Sequence, residues 1–129
     1  MRAPIFVWQP NELLAFSSVE EAEGFVEPYD VNEGTTYDAD GRLLVFELEG
    51  DGHFWQRRVV LRARESQPTH DKDLRLAILQ ASEAAGAKAE PSASLEQLVE
   101  EAHARFSAPR SGLWRKRLFK ALGRTRTRT

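Results

Sequence analysis

The side chains best suited to moving a proton or holding a metal near neutral pH are the histidines at positions 53, 70 and 103. A helical metal site needs a second ligand three or four residues along, and none of the three has one of the right kind. His53 falls in a turn and His103 on a helix, positions where a solvated or hydrogen-bonded imidazole is the ordinary outcome. The chain has no cysteine, which removes disulfides, thiolate zinc sites and thiol nucleophiles together. No Gly-x-Ser-x-Gly elbow, phosphate loop or dinucleotide fingerprint is present, and Gly50-Asp51-Gly52 reads as a hairpin loop. Asp30, Asp38, Asp40 and Asp51 would suit Mg²⁺ or Ca²⁺ if gathered, but their spacing matches no EF-hand loop, and Asp38 and Asp40 have a turn to build. Paired carboxylates for acid–base work need a cleft and separated pKa values, which acids on an exposed helix do not provide. The expectation is therefore no catalytic residue, no metal and no cofactor: a binding protein rather than an enzyme.

Charge is the feature that remains. The chain of 129 residues carries a net −2, but the average conceals three blocks. Residues 1–51 hold 12 acids and 2 bases, residues 52–107 hold 8 of each, and residues 108–129 hold 8 bases and no acid. The acidic block is either an ordinary solvated face or a surface for a basic partner, since a field of one sign speeds encounter with the opposite sign. The basic end has three readings: contact with nucleic acid or a membrane surface, docking on the chain's own acids, or an extension without function.

Length and composition fit one soluble domain, with 41% apolar and 29% charged residues. No apolar run approaches the roughly 20 residues that span a bilayer. The four apolar residues Ile5–Trp8 end at Gln9-Pro10, too short for a secretory segment. The expected location is cytoplasmic.

The elements that must carry the acids read as follows. Residues 5–8 are a strand or an apolar lead-in, and residues 12–16 a strand. Ser17 and Ser18 each have a Glu three residues on, so either caps a helix whose apolar face is Val19, Ala22, Phe25 and Val26. Glu20, Glu21, Glu23 and Glu27 lie off that face or at its margins, and Pro28 stops the helix. Asp38-Ala39-Asp40-Gly41 reads as a type I turn followed by a left-handed glycine, leading into the strand 42–49. Gly50–His53 is read as a second turn and Phe54–Arg64 as the returning strand, with Glu49 opposite Phe54. That register buries Trp55 beside Leu48, with Leu44, Val59, Leu61 and Ala63 on the same face, and turns Gln56, Arg58, Arg62 and Arg64 outward. Asp71 or Asp73 starts a helix to about Ala85 with Leu74, Ala77, Ile78 and Ala81 as its stripe and Gly86 at its end. Ser94 and Gln97 form a capping box for the last helix, whose stripe is Leu95, Leu98, Val99, Ala102 and Phe106.

The order β-α-β-β-β-α-α implies an α+β fold: one antiparallel sheet built on the 33–65 meander, with helices packed on one face. The domain is expected to occupy residues 1–108. Residues 109–129 form a basic tail, amphipathic around Trp114 and Leu118 and then a low-complexity Arg-Thr repeat.

Three stretches, Phe16–Glu23, Glu27-Pro28-Tyr29-Asp30-Val31 and Tyr37–Leu44, resemble small immunity-type proteins of bacterial polymorphic and contact-dependent toxin systems. The resemblance covers residues 12–65, and 70–106 more loosely, and has no counterpart for the tail. It implies a protein that binds and neutralises a cognate toxin encoded by a neighbouring gene. It transfers no contact residue, because those differ with each toxin. The acids best placed for a basic toxin surface are Glu20, Glu21, Glu23, Glu27, Asp38 and Asp40. The alternative is a nucleic-acid-associated accessory protein acting through the basic tail.

Overall fold

A computed structural model describes residues 1–107, apart from residue 11 and the side chain of Phe54. The tail 109–129 and the boundary at 108 lie outside the described residues.

The first apolar run is a strand, β1 (Ile5–Gln9), and it pairs antiparallel with β2 (Glu12–Phe16). Helix α1 (Val19–Phe25) follows, then a 3-10 turn at Pro28–Asp30, then the meander β3 (Thr35–Tyr37), β4 (Leu43–Glu49) and β5 (Arg58–Ala63). Helices α2 (Asp71–Ala84) and α3 (Leu95–Phe106) complete the described chain. The five strands lie in the order β2-β1-β3-β4-β5 and every pairing is antiparallel, so the fold is α+β.

The two faces of the sheet hold two cores. Phe6, Leu13, Ala15 and Tyr37 meet the stripes of α2 and α3, led by Leu74, Ile78, Leu98 and Val99. Ile5, Val7, Leu14, Phe16, Leu44, Phe46, Val59 and Leu61 fill the opposite face under Ala22 of α1. The two long helices thus share one face as expected, while the short α1 sits on the other. α1 lies close to both edge strands, β2 and β5, and its Phe25 ring sits 5.1 Å from the Phe16 ring of β2.

The caps follow the sequence closely. Of the two serines that could cap α1, Ser18 does so, accepting the Glu21 N–H at 3.1 Å. Ser94 accepts the Gln97 N–H at 3.1 Å. The β4–β5 hairpin does not follow. Glu49 faces Arg58 and Leu48 faces Val59, four residues later than expected. Residues 53–56 close on themselves instead: the Gln56 N–H donates to the His53 carbonyl at 2.8 Å and its side-chain oxygen accepts the His53 N–H at 3.0 Å. Gly50 and Gly52, with φ of 112° and 97°, make the wider loop accessible. A shift of four is even, so Leu44, Leu48, Val59 and Leu61 keep the inner face. Ala63 at the strand end is exposed, and Trp55 leaves the core altogether.

Candidate partner-binding surface

The six acids assigned to partner binding separate into two groups. Asp38 is fully buried. Its carboxylate accepts the backbone N–H of Arg2, Asp40 and Arg42 at 3.1, 2.9 and 2.9 Å and the Arg42 guanidinium at 2.7 Å. Asp40 pairs with Arg2 at 2.7 Å, and that hydrogen bond holds its carboxyl below the usual range. The Asp38–Asp40 turn therefore ties the N-terminus to the β3–β4 hairpin; Asp38 presents no surface to a partner.

The same turn docks α2. Gly41, at φ 85°, accepts the His70 N–H on its carbonyl at 2.8 Å, and a Cβ there would lie 2.4 Å from the Asp71 Cα. Glu65 completes the joint by accepting the Leu43 and Thr69 N–H groups at 3.0 and 2.9 Å and the Thr69 hydroxyl at 2.6 Å, with His70 Nδ1 at 3.0 Å. Those bonds, the Thr69 pair foremost, lower its pKa to about 2. His70 is thus a hydrogen-bonded joint at the start of α2.

On α1, Glu20 is exposed and Glu21 half-buried. Glu23 is partly committed, its carboxylate accepting the Leu61 N–H of β5 at 2.7 Å. Glu27 leads directly into the 3-10 turn Pro28–Asp30. That turn packs against the second 3-10 turn, Phe54–Gln56. Here lie two of the most exposed large apolar side chains, Tyr29 and Trp55, each 54% accessible. The His53 ring stacks on Trp55 with centroids 4.5 Å apart and planes within 3°. The result is a ridge of acids along α1 that ends in a pair of aromatic turns. Tyrosine and tryptophan are among the side chains enriched in binding hot spots.

The other titratable groups have local roles. Outside the helix-covered region, Glu47, Glu49, Arg58 and Arg62 form an exposed ladder with separations of 3.7, 3.0 and 2.5 Å. Ser17 Oγ lies 3.0 Å from His103 Nε2. That is the spacing of a nucleophile and its base, yet among the described residues no carboxylate is hydrogen-bonded to orient His103; the contact ties α3 to the start of α1. A cleft of about 440 Å³ between α2 and the following loop is lined by Leu79, Glu83, Lys88 and Glu90. A smaller one of about 260 Å³ is lined by residues of the 31–36 segment and of β4, together with Arg64. Among the described residues no three His, Asp or Glu side chains converge as a metal site, and no helix is long and apolar enough to cross a membrane.

The exposure of Trp55 was hidden from the sequence by the assumption that Gly50–His53 is the whole turn. Two glycines flanking Asp51, followed by His53-Phe54-Trp55 and a cluster of arginines, were the available signal of a longer loop. No family model, curated protein or solved structure matches this chain.

Proposed function

We propose that this chain is an immunity-type protein that neutralises a toxin domain by binding it, acting in the cytoplasm of the cell that makes the toxin. The contact surface is the ridge formed by α1, the Pro28–Asp30 turn and the 50–57 loop. The observation that supports this most is the placement of Tyr29 and Trp55, both more than half exposed, on adjoining turns at the end of an acidic helix. Water-exposed aromatic rings contribute little to folding, whereas desolvating them against a partner supplies much of a hot spot's energy. Glu20 and Glu21 add a negative field that speeds approach of a basic surface. The resemblance of residues 12–65 to immunity-type proteins points the same way.

The reading is tested in cells. The toxin domain encoded beside this gene is expressed with and without the full-length protein. Survival only with the protein supports the reading. Equal killing in both cases, with the protein present and folded, removes it.

A further inference from the structure

We infer that the cleft between the 31–36 segment and β4 receives the C-terminal carboxylate of a polypeptide.

β3 parts from β4 early. Their pairing ends at Thr36 opposite Leu44, although β4 continues to Glu49. The Arg64 N–H donates to the Leu43 carbonyl and the Leu43 N–H to Glu65, so the odd-numbered backbone groups of β4 face β5. The even-numbered groups face the β3 side. At Leu44 that side is filled by Thr36. At Phe46 no backbone partner stands there among the described residues. The Phe46 N–H and carbonyl therefore open toward the cleft of about 260 Å³ that Phe46 helps to line. Phe46 is only 3% exposed, and a buried backbone pair without a partner is costly.

The side chains around the cleft select an anion. Thr36 lines it and is 3% exposed, and its hydroxyl has no hydrogen-bond partner among the described residues. Arg64 also lines it, and its guanidinium is paired with no carboxylate among the described residues. No acid lines the cleft, so Arg64 supplies its only charge. A guanidinium fork matches a carboxylate.

The strand geometry sets the direction. A peptide laid antiparallel along β4 enters from the Leu48 end and runs toward Leu44, where Thr36 already stands. It must end opposite Phe46. Its last residue donates its own N–H to the Phe46 carbonyl and places its carboxylate against the Phe46 N–H. Arg64 lies at that blocked end, beside Leu43. The volume is below the roughly 300–1,000 Å³ of sites for drug-sized ligands and suits a chain end.

The test titrates the full-length protein at low salt with three probes: acetyl-Ala-Ala-Val with a free carboxylate, the same peptide as its carboxamide, and inorganic phosphate. Binding is read from the assigned Phe46 backbone N–H signal. The free-carboxylate peptide should move that signal saturably, with the carboxamide and phosphate about tenfold weaker or inert. Arg64→Gln should weaken the free-carboxylate peptide about tenfold. Its melting temperature should stay unchanged, because the side chain is exposed. Arg64→Lys, which keeps the charge and loses the fork, should recover part of the affinity. The inference is overturned if that peptide leaves Phe46 unmoved, if the carboxamide binds as well, if phosphate binds as tightly, or if Arg64→Gln binds as native does. Protection from the neighbouring toxin is measured separately, so either reading can fail alone.

Discussion

The Glu23 carboxylate accepts the backbone N–H of Leu61 at 2.7 Å, so a helix side chain occupies the place of a missing sixth strand. The Arg64 N–H donates to Leu43, which directs the even-numbered N–H groups of β5 toward β4 and leaves that of Leu61 facing outward. β5 is an edge strand, and edges left open invite pairing with other chains. Glu23 both satisfies the donor and places a charge at the centre of that edge. Glu23→Ala should lose about 1–3 kcal/mol, the cost of leaving a partly buried donor without its acceptor. Glu23→Gln, which keeps an acceptor oxygen, should lose less. Urea unfolding measures both; no loss for Glu23→Ala would mean that the bond contributes nothing. Glu23→Lys would therefore disturb stability as well as charge, whereas substitutions at Glu20 and Glu21 probe partner binding more cleanly.

Two glycines should respond to alanine in opposite directions. Gly24 lies inside α1 with nothing within 4 Å of an added Cβ. Gly24→Ala should stabilise by about 0.5–1 kcal/mol through helix propensity. Gly41 combines φ 85° with a Cβ position 2.4 Å from the Asp71 Cα. Gly41→Ala should destabilise by roughly 2 kcal/mol or more, because strain and a backbone clash add. Thermal unfolding of the two variants checks the pair; equal effects would place the α2 joint elsewhere.

Glu65 gives a pH dependence. Its carboxyl, held down mainly by the Thr69 hydroxyl and N–H, has a pKa near 2 rather than the usual 4.5. A depressed folded-state pKa means that the folded protein binds the proton less readily than the unfolded chain does. The stabilisation is therefore complete above pH about 4.5 and is lost as pH falls toward about 2. The urea midpoint of the native protein should exceed that of Glu65→Gln at neutral pH and converge with it across this window. A constant gap from pH 6 to pH 2 would contradict the assignment.

Trp55→Ala should change stability by no more than about 0.5 kcal/mol, as for other surface positions. A core tryptophan would cost about 3–5 kcal/mol. The denaturation midpoint distinguishes the two, and a large loss would return Trp55 to the core.

Legibility followed the range of the interactions. Helix caps and stripes depend on neighbours three or four residues away, so Ser94 and the stripe from Leu74 to Ala81 could be read directly, and the cap of α1 was narrowed to Ser17 or Ser18. The α+β class followed from the order of the runs. The hairpin register did not, because a 3-10 turn closed by Gln56 and His53 looks in sequence like the start of a strand. Asp38 could be read as a turn residue, but its contacts with Arg2 join positions 36 apart, and no local pattern announces them. Glu23 could be placed off the apolar face or at its margin, but its bond to Leu61, 38 residues away, has no local signal. Of the residues proposed for binding, Glu20 and Glu21 followed from the helix pattern, whereas the exposure of Trp55 followed only from the register of β4 and β5.

The central claim is neutralisation by direct binding, and inhibition of the purified toxin domain tests it most directly. The domain encoded by the neighbouring gene is assayed for its own activity while the full-length protein is titrated in. The account expects activity to fall to baseline at one equivalent, with Glu20→Lys combined with Glu21→Lys slowing association at low salt and Trp55→Ala speeding dissociation. Undiminished toxin activity at a large excess of folded protein would contradict it.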